Sequence, residues 1–223
     1  KTDTKIKTSF GTGFKAPTLY QLYAPSDAYF GGGNPNLSPE KSYSYEAGLE
    51  QSLCKEKINL ALTFFHSDFK NLIDSIYNPN TWFSDQYKNV SKARSFGYES
   101  QLKIYPLKNL SITGNYTWLD TEDKETHLEL LRRAKNKCNV NLGYKLFKKI
   151  NFNLDFRYVG SRLDSGNIKL KPYTLLDFAT YYDVTDNLRL YARVENLFNE
   201  RYEEINGYGT PGASVYTGLK ASF

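Results

Sequence analysis

Alternation of apolar and polar side chains is the feature that most limits what this chain can fold into. At the end of the chain, one set of alternate positions carries Val215, Thr217, Leu219, Ala221 and Phe223, with small or polar residues between them. Segments near residues 110–118, 139–146, 151–158 and 188–195 repeat the pattern. A period of two is the period of a β-strand. The sequence therefore predicts an all-β protein.

The lengths of strands and connections narrow the fold class further. Tight turns at residues 54–57, 106–109, 147–150 and 184–187 alternate with longer stretches near residues 12–40, 72–88, 119–135, 161–172 and 198–212. Outer-membrane barrels have short periplasmic turns and long outer loops. Several segments also reach the roughly 9–11 residues that a membrane-crossing strand needs. We therefore predict an antiparallel transmembrane β-barrel segment of about ten long strands.

Composition is compatible with this fold and weakens other classes. The chain has 223 residues, of which 16% are aromatic, including 19 Tyr. Tyr suits the boundary between lipid and water because its ring is apolar and its tip is polar. A net charge of +5 is spread along the chain rather than gathered in a patch, so nucleic-acid binding is not expected. Apolar and polar residues also alternate in a half-buried sheet of a soluble protein. Alternation alone therefore does not exclude a soluble β-sheet protein.

The residues that commonly bind metals are few and scattered. Cys54 and Cys138 are the only cysteines, and we expect both to be free thiols. His66 and His127 are the only histidines, and neither has neighbours at metal-site spacing. Gly31–Gly33 lacks the following Lys-Ser/Thr of a phosphate-binding loop. No metal, cofactor or catalytic residue is predicted.

Several motifs, in a fixed order, resemble those of TonB-dependent receptors of the bacterial outer membrane. The first three are Phe-Gly-Thr-Gly-Phe-Lys-Ala-Pro at residues 10–17, Asn-Pro-Asn-Leu-Ser-Pro-Glu at 34–40 and Tyr-Glu-Ala-Gly at 45–48. Two further motifs resemble the ending of these receptors: Asn-Leu-Phe-Asn-Glu-Arg-Tyr at residues 196–202 and Gly-Tyr-Gly-Thr-Pro-Gly at 207–212. The resemblance covers nearly the whole chain.

Finer features resemble the vitamin B12 (cobalamin) branch of that family. They are Leu-Leu-Arg-Arg-Ala-Lys at residues 130–135, Tyr-Val-Gly-Ser-Arg at 158–162 and Leu-Leu-Asp-Phe-Ala at 175–179. The resemblance implies that Arg132 contacts the corrinoid and that Tyr208 lies near the ligand. Asn206 stands where the branch has another Tyr.

The residues themselves leave two roles open for Arg132. At the outer rim of a strand, its guanidinium can donate hydrogen bonds to ligand carbonyl groups. Alternatively, Arg132 and Arg133 pair with Asp120 or Glu122. Uptake of a siderophore, an iron-chelating ligand, also stays open. Receptors of the haem branch typically carry a His between the motifs found here at residues 10–17 and 34–40. Axial haem ligation is therefore unsupported, because residues 18–33 contain no His.

The resemblance implies that the chain is the C-terminal portion of a plugged barrel of about 22 strands. A plug domain, the earlier strands and the early calcium-binding loops would then be absent. No signal peptide is present, so we expect a fragment or a processed chain. The expected partners are the ligand, TonB through the plug, outer-membrane lipid, and the barrel-assembly machinery through the terminal Phe223.

Two other classes of outer-membrane protein remain open. A complete ten-strand barrel could be a protease, with Asp120 and His127 in one outer loop as the candidate pair. His127→Ala would then abolish proteolysis, whereas ligand uptake would barely change. A passive porin is the other class, and the presence of an N-terminal plug in the full gene separates it from a receptor.

Overall fold

The computed structural model describes residues 3–27, 31–78, 83–90 and 92–222. Nearly all regular structure in these ranges is strand. The elements are β1 (Asp3–Lys15), α1 (Leu19–Tyr23), β2 (Glu40–Leu53), β3 (Ile58–Lys70), β4 (Leu72–Asn78), β5 (Phe83–Val90), β6 (Ala93–Leu107), β7 (Leu110–Asp123), β8 (Asn136–Leu146), β9 (Ile150–Val159), β10 (Arg162–Asp164), β11 (Ile168–Leu170), β12 (Tyr173–Asp183), β13 (Leu188–Glu195) and β14 (Ser214–Ala221). A single 3-10 turn, Ser165–Asn167, joins β10 to β11.

Ten strands form one antiparallel sheet in the order β1-β2-β3-β6-β7-β8-β9-β12-β13-β14. Sequence neighbours pair throughout, except where the two-stranded hairpins β4–β5 and β10–β11 project from long connections. The sheet is open, with β1 and β14 at its edges. The predicted antiparallel sheet of about ten long strands is confirmed.

The register gives the sheet one apolar and one polar face. One cross-strand row contains Phe10, Tyr45, His66 and Phe96, and the rings of Phe10 and Tyr45 are 5.0 Å apart. Phe10 is 61% exposed, so this face is not covered by a second layer of the described chain. We call it the apolar face.

The opposite, polar face is cross-linked by hydrogen bonds between neighbouring strands. Gln101 donates to Asn115 at 2.9 Å, and Asn139 donates to Asp155 at 3.0 Å. Lys7 pairs with Glu50 on the same face. Such contacts suit a face that meets water.

The connections are short at one end of the sheet and long at the other. Tight turns occur at all four predicted places, over residues 54–57, 108–109, 147–149 and 184–187. Two of them are shorter than the predicted 106–109 and 147–150, because β6 continues to Leu107 and β9 begins at Ile150. Cys54, in the first of these turns, has a φ of 53°. Both Cys54 and Cys138 are free thiols, as expected.

Two strands run further into the long-loop end than predicted. The loop expected to begin near residue 12 starts only after Lys15, because Gly11 and Gly13 pair with Ser44 and Ser42 of β2. At Gly13 a Cβ atom would lie 2.8 Å from Ser42 Oγ, so glycine permits this close pairing. Similarly, β7 continues to Asp123 through pairing with β6.

The long connections contain structure that the alternation pattern did not predict. The five-residue helix α1 begins at Thr18, whose hydroxyl accepts from the Gln21 N–H while the Gln21 side chain accepts from the Thr18 N–H. No helix in the described ranges combines the length and apolar character of a bilayer-spanning helix. Phe223, predicted to end the last strand, lies outside the described residues.

Gly97 provides a test of the strand packing. It is buried in β6, where a Cβ atom would collide with the carbonyl oxygen of Trp118 and lie 2.9 Å from the Phe65 ring. Gly114, in β7, has no heavy atom within 4 Å of the same position. Gly97→Ala is expected to lower the free energy of unfolding by about 1–3 kcal/mol through overpacking.

The measurement is urea unfolding of the full-length protein in detergent micelles, followed by tryptophan fluorescence. Gly114→Ala is the matched control and should shift the midpoint little. Equal midpoints for the two variants would contradict this packing.

Candidate functional site

One buried carboxylate joins three of the long connections. Asp164, at the end of β10, is 0% exposed. Its Oδ1 accepts hydrogen bonds from Arg132 Nε at 2.7 Å and from the Ser165 N–H at 2.8 Å. Its Oδ2 accepts from the Asn206 N–H at 2.7 Å. The segments 124–135, 160–172 and 196–213 therefore meet at Asp164.

The surroundings of Asp164 favour its ionised form. The Asn206 N–H contributes most, and Arg132 and the Ser165 N–H act in the same direction. Burial opposes them, yet the pKa of Asp164 falls from 3.8 to about 2. Because the pKa of Asp164 is lower in the folded state, its ionisation stabilises the fold at any pH above the ordinary value of 3.8. This stabilisation is lost as the pH falls through about 2. Asp164 is therefore a stable anion near neutral pH.

Arg132, a predicted ligand contact, is held by its backbone as well as its side chain. Its N–H donates to the Leu163 carbonyl oxygen at 2.7 Å. Its φ is 60°, a left-handed conformation that is uncommon for residues other than glycine. The Arg132 side chain remains 42% exposed. Arg132 is thus fixed in position but open to a ligand.

Tyr208, the second predicted contact, lies in a turn beside the same cluster. Gly207 has a φ of 80°, and the Tyr208 N–H donates to the Ile205 carbonyl oxygen at 3.1 Å. The Tyr208 side chain is 70% exposed. Because Asn206 binds Asp164, the loops that carry Tyr208 and Arg132 are both tied to one carboxylate.

Arg162 adds a second connection between these loops that the sequence did not predict. Its Nη2 donates to the Glu203 carbonyl oxygen at 2.6 Å, and its guanidinium lies 5.4 Å from the Tyr173 ring centroid. Tyr173 in turn packs against Tyr202, with ring centroids 4.2 Å apart. The sequence marked Arg162 only as the end of a resembling run, and nothing in the alternation pattern distinguished Asp164.

A cavity of about 510 Å³ lies beside this cluster and is rich in positive charge. Its lining includes Arg132, Lys137, Arg157 and Arg162, but only one acidic residue, Glu204. Polar side chains such as Asn115 and Asn139 and apolar side chains such as Val159 complete the lining. The cavity is therefore suited to a ligand that presents anionic or carbonyl oxygen atoms.

The charges in this cavity differ in how far they are neutralised. Arg132 is paired with Asp164, and Arg157 Nη2 lies 3.7 Å from Asp177 Oδ2. Lys137 forms no ion pair with a described residue. Arg162 Nη1 is buried and has no hydrogen-bond partner in the described part of the chain. Donors thus remain for an incoming acceptor.

The acids proposed as partners of Arg132 have other partners. Asp120 accepts from Lys135 Nζ at 3.0 Å. Glu122 lies 3.0 Å from Arg94 Nε and 2.8 Å from Lys124 Nζ. The expectation that Arg132 pairs with Asp120 or Glu122 is therefore wrong, because Asp164 of a different connection takes that role.

The Asp120–His127 pair considered for catalysis is separated in its contacts. His127 Nδ1 lies 2.8 Å from Glu122 Oε1, whereas Asp120 binds Lys135. Within the described ranges, no group of three His, Cys, Asp or Glu side chains could hold a metal ion.

Comparison with solved structures shows the same architecture in larger proteins. The ferric enterobactin receptor PfeA of Pseudomonas aeruginosa is 26% identical, with a TM-score of 0.80 over 99% of this chain. The siderophore receptor PirA of the same organism is also 26% identical, with a TM-score of 0.75 over 99% of this chain. The copper transporter OprC is 19% identical, with a TM-score of 0.82 over 99% of the chain, and supports the fold alone.

The chain spans 38% of the PfeA chain and 37% of the PirA and OprC chains. A family model described as "TonB dependent receptor-like, beta-barrel" matches residues 2–197. With the ten-stranded antiparallel sheet and its sorted connections, this match leads to one conclusion: the chain belongs to the TonB-dependent receptor β-barrel family.

Proposed function

We propose that this chain forms part of the wall and outer binding rim of an outer-membrane receptor that actively takes up a scarce ligand. The observation that carries the proposal is the cationic cavity beside Asp164, where three long connections are tied together. The exposed apolar face then contacts lipid, and the polar face lines the lumen. The long connections face outward and the short turns face the periplasm.

The remainder of such a receptor would lie in other segments of the full-length protein. The chain spans about two fifths of the PfeA and PirA chains. The resemblance of residues 196–212 to the family's ending supports assigning this sheet to the C-terminal portion of the barrel. A plug and earlier strands would complete it, because an open sheet leaves two unpaired edges. Energy passed through TonB would move the plug and release the ligand inward, and Phe223 would serve barrel assembly.

Cobalamin is the first candidate ligand. The run at residues 130–135 supports it, because Arg132 stands where that branch contacts the corrinoid. The amide groups around a corrin ring present carbonyl oxygens, which accept hydrogen bonds from a guanidinium. Arg132 is held at the cavity with its side chain partly exposed, and Tyr208 supplies an exposed ring on the adjoining loop.

A ferric siderophore is the second candidate ligand, and the charge of the cavity favours it. Four cationic side chains and one acidic side chain line the space. An anionic iron chelate would gain electrostatic attraction there. PfeA and PirA, each 26% identical to this chain, are named as receptors for ligands of this class.

Transport rather than covalent chemistry is the function that the family membership supports. His127 contacts Glu122 and Asp120 binds Lys135, so the two residues do not form the Asp–His pair that the protease alternative needs. His127→Ala is therefore proposed to leave uptake almost unchanged.

Arg132→Ala tests the ligand role directly. Loss of a charged hydrogen bond should weaken ligand binding by about ten- to a hundredfold. The measurement is equilibrium binding of cobalamin, and separately of ferric enterobactin, to the purified full-length receptor. Arg133→Ala is the matched control, because Arg133 is the exposed neighbour in the same segment. Equal affinity in both variants would remove Arg132 from the site.

The same titrations separate the two ligands. Cobalamin binding with Arg132 dependence supports the first candidate, whereas binding of ferric enterobactin alone supports the second. Binding of neither ligand, together with free diffusion of small solutes through the barrel, would favour a porin.

Asp164→Asn tests whether the carboxylate organises the rim. The amide of Asn has only one acceptor oxygen, and its NH₂ group would face at least one of the donors that now bind Asp164. The hydrogen bonds that hold the three connections together should therefore weaken. We expect amide hydrogen exchange in residues 128–135 and 198–212 to accelerate by about tenfold or more, as for loss of a buried charged hydrogen bond. Asp186→Asn, in an exposed short turn, is the control. Unchanged exchange in both outer segments would contradict this role.

A further inference from the structure

Four lysines lie side by side across four adjacent strands at the long-loop end of the apolar face. We call Lys41, Lys70, Lys92 and Lys124 the lysine row. Lys41 and Lys70 are direct cross-strand partners. Ala93 pairs with Phe69, which places Lys92 beside Lys70, and the Lys124 N–H donates to the Lys92 carbonyl oxygen at 2.7 Å.

The row lies on the apolar face because the alternation of its strands continues through it. Lys41 lies on the same face of β2 as Tyr43 and Tyr45. Its cross-strand partner on β1 is Phe14. Lys70 Nζ lies 5.2 Å from the Tyr43 ring centroid. The row stands four residues beyond Tyr45, or about 13 Å along a strand.

The neighbouring row shows how the same face normally balances its charges. Between the aromatic row and the lysine row lie Asp68, Arg94 and Glu122, which are cross-strand neighbours of alternating sign. Arg94 Nε is 3.0 Å from Glu122 Oε2, and Asp68 Oδ2 is 3.1 Å from His66 Nε2. The one cation of this intermediate row is therefore paired within the sheet.

The lysine row does not have that balance. Lys124 shares Glu122 with Arg94. In the described part of the chain, Lys41, Lys70 and Lys92 form no ion pair. Like charges placed directly opposite each other destabilise a sheet. An anion between these lysines would offset this repulsion.

The space beside the row can accept such an anion. A groove of about 940 Å³ is lined by Lys70, Lys92 and Lys124, with Tyr43 and Tyr45 below them. Two carboxylates, Asp68 and Glu125, also line it. Three lysines against these two carboxylates leave the lining with a net positive charge.

We propose that the lysine row binds the phosphate groups of a membrane lipid whose acyl chains lie along the apolar face. This proposal rests on the membrane location proposed above. Charge complementarity supplies the specificity, since basic side chains at membrane-surface depth attract anionic headgroups. The aromatic row of Phe10, Tyr45, His66 and Phe96 lies between the phosphates and the acyl region, where amphipathic rings are favoured. The occupant is thus a phosphorylated lipid rather than a soluble ligand.

The test measures lipid retention by the full-length protein in maltoside micelles doped with phosphatidic acid, or with phosphatidylcholine of the same acyl chains. Native mass spectrometry reports the bound lipid. The variant is Lys41→Gln/Lys70→Gln/Lys92→Gln. Phosphatidic acid affinity should fall by about fivefold for each charge, or on the order of a hundredfold in total.

Two controls separate charge from folding. Lys5→Gln/Lys103→Gln/Lys145→Gln removes the same charge from the polar face of the same sheet and should leave lipid retention unchanged. Lys41→Arg/Lys70→Arg/Lys92→Arg keeps the charge and should retain the lipid. Equal retention in the first variant and the polar-face control would overturn the proposal, as would equal retention of the two lipids by the wild-type protein.

Competition with inorganic phosphate distinguishes a lipid site from a free-phosphate site. Complete displacement at a concentration equal to that of phosphatidic acid would overturn the lipid assignment. Uptake of the receptor's ligand by cells carrying the lysine-row variant should persist. Failure of lipid binding with uptake intact would therefore refute this inference alone, whereas a receptor absent from the membrane fraction would refute the proposed function.

Discussion

The rest of the structure depends on one constraint: the two faces of a single sheet carry opposite kinds of side chain. Alternation along each strand places apolar side chains on one face and polar side chains on the other. Hydrogen bonds on both sides satisfy the backbone of the eight strands between the edge strands β1 and β14. For these strands, the side chains decide whether each face is stable against lipid or against water. On one face Phe10, Phe64 and Leu219 remain largely exposed. On the other face, amides and ion pairs cross-link neighbouring strands. A layer of this kind is stable where lipid and water lie on opposite sides.

In the proposed receptor, the connections at the long-loop end of this wall would determine which ligand is bound. Asp164 is the central element there, because one ionised side chain satisfies donors from three separate connections. The free energy of desolvating the carboxylate is offset only while all three connections remain in place. This coupling allows a strained Arg132 backbone to persist beside the cavity. In the proposed receptor, the wall and the connected loops would together form a preorganised binding surface.

Local sequence information predicted the wall well and the rim poorly, for physical reasons. The period-two pattern at Leu154 or Leu219 reports a face directly, since each residue's environment is set by its own parity. The length of β1 was underestimated, because the pairing of Gly11 and Gly13 depends on the partner strand rather than on glycine itself. Asp164 and Arg162 were not predicted as organising residues, because their partners lie 32 to 42 residues away along the chain. The lysine row was also missed, since its four members become neighbours only through the register of four strands.

The central claim, that adjacent residues of one strand face lipid and water in turn, can be measured on β9. Nitroxide labels placed at Leu154→Cys and Asn153→Cys, in a full-length background without Cys54 and Cys138, report their access to oxygen and to a water-soluble nickel chelate in bilayers. The account predicts that the label at position 154 collides mainly with oxygen, whereas the label at 153 collides mainly with the nickel chelate. A label at 154 shielded from both reagents, as in a packed core, or equal accessibility at the two positions, would contradict it.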